Sequence, residues 1–193
     1  MVYNEVKSIL FAGVGGQGIL RASDIICEVI MEAGFDVKKS EVHGMAQRGG
    51  CVTSHVRFGR KVYSPLAESG SIHTLVSFEK MEALRYLKLL KGNAAIIVNK
   101  EEIYPPAVNM GDMQYPKDTI DYMKKNYGKV TSFNAAELAQ KAGNIKTANV
   151  VLLGALSNLM NIDQSIWQNV IKKSFPEKLI KVNLAAFQMG INA

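Results

Sequence analysis

Residues 9–20, "ILFAGVGGQGIL", constrain the fold more than any other stretch of the chain. The apolar run Ile9-Leu10-Phe11-Ala12 reads as a buried parallel strand. Gly13, Gly15 and Gly18 follow at the spacing of a phosphate-cradling loop. Ile19, Leu20, Ile25, Ile26, Val29 and Ile30 then gather on one side of a helix. Strand, glycine turn and helix together open many α/β nucleotide-binding folds. Glycine lets the backbone bend sharply, and the unpaired amides of a helix N-terminus can face an anion. Gly13, Gly15, Gly16, Gln17 and Gly18 are therefore candidate anion or cofactor contacts. The bland alternative is that Gly15 and Gly18 only permit close packing of helix on strand.

The rest of the chain extends the α/β pattern. A second strand is expected over Phe35–Val42, and Cys51–Phe58 alternates with a period of two. Gly59-Arg60 turns that strand into another at Lys61–Leu66, giving an inserted β-hairpin. "HTLVSF" (73–78) and "AAIIVN" (94–99) read as buried strands flanking a helix over Glu79–Leu90. Residues 101–116 carry Pro105, Pro106 and Pro116 and predict an irregular loop. A helix over Thr119–Tyr127 and the strand "KVTSFN" follow, and Asn134 with Glu137 has the form of a capping box. Helices are expected over Asn149–Met160, Asp163–Ser174 and Glu177 to about Met189. The expectation is one domain over 1–193: an α/β, Rossmann-like, mostly parallel sheet with an inserted β-hairpin and a helical C-terminal third.

Composition narrows the function classes. The net charge is +6, with lysines spread along the chain rather than interleaved with aromatics, so no nucleic-acid partner is expected. No apolar run approaches the roughly 20 residues of a membrane span, and Met1 to Lys7 lack the pattern of a signal peptide. A cytoplasmic chain is expected. Two cysteines, Cys27 and Cys51, fall short of the four thiolates an iron–sulfur cluster usually takes. His43, His55 and His73 lack metal-site spacing, so no metal is expected.

The second unusual stretch is "HGMAQRGG", residues 43–50. His43, Gln47 and Arg48 are crowded among Gly44, Gly49 and Gly50, after a strand and in the region where open α/β sheets place ligands. The Arg48 guanidinium is a planar fork suited to a carboxylate or phosphate. The alternative is a surface turn with a solvated arginine. Cys51 reads either as a reactive thiol or as a small apolar group at a strand start. For a dinucleotide site, Glu41 near the end of the second strand is the candidate ribose ligand, although Lys38 and Lys39 beside it favour phosphate instead.

Taken together, "GVGGQGIL", "SEVHGMAQRGGCVTSHVRFG" and "VYSPL" resemble the gamma-type subunit of 2-oxoacid:ferredoxin oxidoreductases, and within it the indolepyruvate branch. The resemblance covers the whole chain and is strongest over residues 8–66. It implies a subunit of an enzyme that oxidatively decarboxylates an aryl-2-oxoacid to its acyl-CoA and passes electrons to ferredoxin. Thiamine diphosphate, its Mg and the [4Fe–4S] clusters are then expected in a large catalytic partner subunit, with ferredoxin an indirect partner and CoA a cosubstrate. The chain itself is expected to carry no cofactor and no catalytic residue. His43, Gln47, Arg48, Gly49 and Gly50 are assigned from their local chemistry as interface or CoA/anion contacts. The competing readings are a free-standing NAD(P)- or flavin-binding oxidoreductase and a structural subunit without a ligand.

Overall fold

The computed structural model describes residues 5–44 and 50–193. Six strands form one sheet: β1 (Lys7–Val14), β2 (Asp36–His43), β3 (Cys51–Gly59), β4 (Ile72–Ser77), β5 (Leu90–Asn99) and β6 (Lys129–Phe133), in the order β2-β3-β1-β4-β5-β6. β1, β4, β5 and β6 are parallel neighbours, whereas β3 runs antiparallel to both β1 and β2. Five strands therefore point one way and one points back, which is the mostly parallel α/β sheet expected from the sequence.

Alternation along β1 sorts its side chains between two apolar layers. Ile9 and Phe11 enter the larger core with α1 (Ile19–Glu32), α6 (Ala148–Ser157), α7 (Gln164–Ser174) and α8 (Glu177–Ile191). Leu10 and Ala12 face the smaller core, where Ala83 of α2 (Lys80–Tyr86) and Met123 of α4 (Thr119–Asn126) pack. With both faces covered, the central strands read as continuous apolar runs, as parallel strands do.

The inserted hairpin is not where the sequence pattern put it. Residues 61–66 form no strand; the antiparallel partner of β3 is β2, joined through residues 44–50. The reason is that β3 has no free edge, since β1 occupies one side and β2 the other. Residues 61–66 are instead tied by side chains. Asp36 accepts from Val62 N at 2.9 Å, and Arg57 Nη1 donates to Ser64 O and Leu66 O at 2.9 and 2.7 Å.

Elsewhere the elements lie near their expected places. Glu79 caps α2 rather than opening it, the helix ends at Tyr86, and β5 begins at Leu90, earlier than its apolar run suggests. One short helix, α3 (Pro106–Asn109), interrupts the proline-rich loop. Asn134 caps α5 (Ala135–Ala142) by accepting from Glu137 N at 3.1 Å, but the Glu137 carboxylate pairs with Lys141 at 2.8 Å. α6 is buried from Asn149 to its end at Ser157, clamped between β5, α5 and α8. Among the described residues no helix is long and apolar enough to cross a membrane.

Candidate functional site

At the carboxyl end of β1 the chain reverses through two glycines in the left-handed region, Gly16 (φ 98°) and Gly18 (φ 79°). Gly18 caps α1 without any side-chain cap. Close approach is required at Gly13 and Gly18. A Cβ at Gly13 would stand 2.6 Å from Gln17 Oε1 and 2.7 Å from Phe78 Cβ, and one at Gly18 would stand 2.8 Å from Asn149 Nδ2. At Gly15 the nearest atom, Gly50 O, lies at an ordinary 3.7 Å. A close neighbour therefore bars a side chain at Gly13 and Gly18 but not at Gly15, and at Gly18 that neighbour belongs to α6 rather than to a strand, so close helix-on-strand packing accounts for neither Gly15 nor Gly18.

Much of the turn's hydrogen-bonding capacity is spent on the protein itself. Gly15 N donates to Gly50 O at 3.0 Å, so the turn grips the returning end of the β2–β3 connection. Gln17 Oε1 accepts from Val14 N at 2.7 Å, while Gln17 Nε2 donates to Phe78 O at 2.9 Å and to Glu101 Oε2 at 3.0 Å. Asn99, at the end of β5, donates to the same two acceptors at 3.0 Å and takes Ala135 N on its Oδ1 at 2.9 Å. Gln17, Asn99 and Glu101 thus lock together the carboxyl ends of β1, β4 and β5 and the start of α5. Gln17 is a structural anchor, with both ends of its amide engaged.

A cleft of about 390 Å³ opens above this lock, with Gly16, Gly18, Glu101, Lys146 and Leu152 among its walls. It sits outside the carboxyl ends of parallel strands, where open α/β sheets hold ligands. Its one carboxylate and one ammonium leave it close to neutral. A pyrophosphate would bring further negative charge toward Glu101, which opposes it.

The dinucleotide reading loses its ribose ligand as well. The register aligns Glu41 with Ser54 and Phe11, so β3 separates Glu41 from β1; two strand spacings amount to roughly 10 Å. Glu41 is also paired to Lys39 at 2.6 Å, and Lys39 reaches Asp24 too, so neither Glu41 nor Lys39 is free for a nucleotide.

Of the residues singled out in the second stretch, Gly50 lies against Gly15. His43 is exposed at the end of the edge strand, aligned with Val52 and then Gly13 across β3. Gln47, Arg48 and Gly49 lie outside the described residues. The glycine turn and Gly50 therefore come together, whereas His43 stands two strands away. Burial pushes the Cys27 thiol up to about 12, despite the nearby Lys39 ammonium. That makes it a poor thiolate ligand. Burial first, and then the neighbouring Cys51, pushes the Tyr86 hydroxyl up to about 12. Among the described residues no three His, Cys, Asp or Glu side chains gather as metal ligands.

Sequence reasoning missed Asn99, Glu101 and Asn149, and it missed Glu79. Glu79 is buried after β4 and accepts from Glu82 N at 2.8 Å, Ile103 N at 3.3 Å and the Tyr115 hydroxyl. It fixes the proline-rich loop beside the sheet end. The available signal was a polar residue closing each apolar strand: Glu79 after "HTLVSF" and Asn99 at the end of "AAIIVN".

Comparison with known proteins fits this architecture. Residues 8–193 match the family described as pyruvate ferredoxin/flavodoxin oxidoreductase. The chain is 44% identical to the indolepyruvate oxidoreductase subunit IorB of Thermococcus kodakarensis, over 96% of this chain and 95% of that one. The gamma subunit of a keto/oxoacid ferredoxin oxidoreductase from Geobacter sulfurreducens superposes with a TM-score of 0.72 at 25% identity, covering 96% of each chain. A 2-oxoglutarate:ferredoxin oxidoreductase from Magnetococcus marinus shares the fold at a TM-score of 0.74 and 22% identity, over 98% of this chain and 31% of its own. With a family match running from the first strand to the last residue, the chain belongs to the pyruvate ferredoxin/flavodoxin oxidoreductase family.

Proposed function

We propose that the chain is the small subunit of an indolepyruvate:ferredoxin oxidoreductase. Such an enzyme converts an aryl-2-oxoacid and CoA to acyl-CoA and CO2, and the two electrons released pass to ferredoxin. The observation that carries this reading is the 44% identity to an indolepyruvate oxidoreductase subunit over nearly the full length of both chains. Thiamine diphosphate with Mg and the [4Fe–4S] clusters belong, on this reading, to a large partner subunit in the cytoplasm. The donor set here does not fit a cluster, having two cysteines in all, one of them half-buried with a raised pKa.

This chain's part is to shape and close the partner's site as a single gamma-type domain over 1–193. The support is the rigid carboxyl end of the sheet. There the Gln17–Asn99–Glu101 lock and the Gly15–Gly50 bond hold the returning end of the 43–50 connection. On this reading His43, Gln47, Arg48, Gly49 and Gly50 meet the large subunit or the anionic part of CoA, and Gly16 and Gly18 offer a further anion contact beside Lys146.

The test is reconstitution. The chain alone, shown by metal analysis to be iron-free, is assayed for ferredoxin reduction with indolepyruvate and CoA, and then again with the large subunit. Silence alone and turnover in the pair is the expected outcome; turnover by the chain alone would overturn the assignment. In the pair, Arg48→Ala should weaken assembly or CoA use by ~2–5 kcal/mol, because a charge left unpaired at an interface is costly. Arg48→Lys should not restore it, since an ammonium lacks the planar fork. Unchanged assembly and an unchanged apparent constant for CoA in the Ala variant would return Arg48 to a solvated turn.

A further inference from the structure

The opposite end of the sheet has its own cavity, and the strand register builds it. Ile9, Thr74, Ala95 and Lys129 stand in one row across β1, β4, β5 and β6. Just before that row β5 bulges. Ile72 pairs with Leu90 and Thr74 with Ala95, so Lys91, Gly92, Asn93 and Ala94 oppose the single residue His73. Bulges at a sheet rim re-aim side chains and end regular pairing. The space left is a cavity of about 280 Å³, with Lys7, His73, Asn93 and Lys129 on its polar side and Phe58 and Leu159 on its apolar side. Along β1 it lies roughly 20 Å from the glycine turn.

Positive charge here is poorly answered. Among the described residues Lys91 and Lys129 have no ion-pair partner, and Lys7 meets only the exposed Glu5, at 3.5 Å. His73 Nδ1 accepts from Ser8 N at 3.2 Å, so the neutral ring carries its proton on Nε2 as a donor. Burial first, then Lys7, Lys91 and Arg57, hold His73 below the usual histidine range, with Glu5 acting in the opposite sense.

We propose that this cavity binds a small amphipathic organic anion, a carboxylate on an apolar body, with its charge between Lys7 and Lys129 and its body against Phe58 and Leu159. The lysines supply long-range attraction and charge-assisted hydrogen bonds. The apolar wall favours a ligand with a body over a bare inorganic anion. The site is independent of the enzyme assignment, because it uses neither the glycine turn nor the 43–50 connection.

Calorimetric titration of the full chain with three probes tests it: phenylacetate, its neutral isostere phenylacetamide, and inorganic phosphate. Phenylacetate should bind saturably with a dissociation constant of about 1 mM or below, and the other two at least about tenfold more weakly. Lys129→Ala should weaken phenylacetate binding about tenfold. Leu159→Glu, a change at a half-exposed position, should abolish it while the melting temperature stays near that of the parent. By NMR, the His73 titration should move to higher pH on adding phenylacetate, because an anion among Lys7, Lys91, Lys129 and Arg57 favours the protonated ring despite Glu5. Phosphate binding as tightly as phenylacetate would overturn the proposal. So would amide binding equal to acid binding, indifference to both variants, or a stationary His73 titration.

Discussion

Replacing Gly154 by alanine tests how α6 is held, and through α6 how the cleft is shaped. A Cβ at Gly154 would lie 2.1 Å from Phe187 O and 2.9 Å from Gly190 Cα, and one at Gly190 would lie 1.9 Å from Val151 O. These are backbone atoms of the facing helix, so no rotamer change relieves the clash. Ordinary van der Waals contact begins near 3.4 Å; α6 and α8 would have to separate by roughly 1 Å, which forfeits a quarter or more of each contact's attraction along the crossing. α6 is buried on every side and has nowhere to retreat. Overpacking usually costs ~1–3 kcal/mol and more where relaxation is blocked, so we expect ~3–5 kcal/mol for either single alanine. At ~2–4 °C per kcal/mol for a chain of this size, the melting temperature should fall by roughly 6–20 °C. The double variant should cost less than the sum, because the first methyl has already parted the helices that the second would part. Thermal and urea melts of the two single variants, the double and a Gly92→Ala control measure this; Gly92 has nothing within 4 Å of its would-be Cβ. A Gly154→Ala melt within about 2 °C of the parent, or strict additivity, would refute the reasoning.

Three further outcomes follow from the glycine turn and the half-buried histidines. Gly18→Ala should cost ~1–3 kcal/mol in urea melts, from its left-handed φ and the Asn149 clash, whereas Gly15→Ala should stay within about 1 kcal/mol of the parent. Gln17→Leu should cost ~1–3 kcal/mol by stranding Val14 N and removing a donor from Glu101, measured in the same melts, with a wild-type midpoint counting against the lock. Burial lowers the pKa of His55 and His73 below the ordinary 6.5, so the unfolded chain takes up protons first as pH falls. Stability should therefore drop as pH falls below about 6.5 and level off below the folded values. His55→Leu should shrink that acid-side loss in melts at pH 5 and pH 7.5, and an unchanged difference between the two would contradict it.

The sequence was most readable where burial was complete. β1 and α1, and the last two helices, lie within a residue or two of expectation because their apolar periods are long and uninterrupted, while α6 ends at Ser157, three residues before its expected end at Met160. The hairpin was misplaced because period-two alternation marks a strand without naming its partner. Gly59-Arg60 offered a local turn, but which strand takes the second edge of β3 depends on β1, far away in sequence. The glycine motif was legible as a turn yet not in its division of labour. Gly13 is demanded by Phe78 and Gly18 by Asn149, and neither neighbour is adjacent in sequence. Asn99 and Glu101 gave no pattern for the same reason, since their role exists only once β1, β4 and β5 end side by side.

The insertion of β3 also explains why the glycine turn lacks the acidic partner that a nucleotide fold places on the neighbouring strand. In a simple strand–helix–strand unit, the second parallel strand would lie beside the first and bring its acidic end to the ribose. Here β3 takes that place, moving Glu41 one strand further out, where it pairs with Lys39. The same strand delivers Gly50 O to Gly15 N, placing a backbone carbonyl against the first amide of the turn. An acceptor in that position occupies hydrogen-bonding capacity that a phosphate oxygen would need. The turn's demand for Gly13 and Gly18 survives, because it comes from the protein's own Gln17, Phe78 and Asn149. What changes is the object held: the turn grips Gly50, the returning end of the β2–β3 connection, at the carboxyl end of β1.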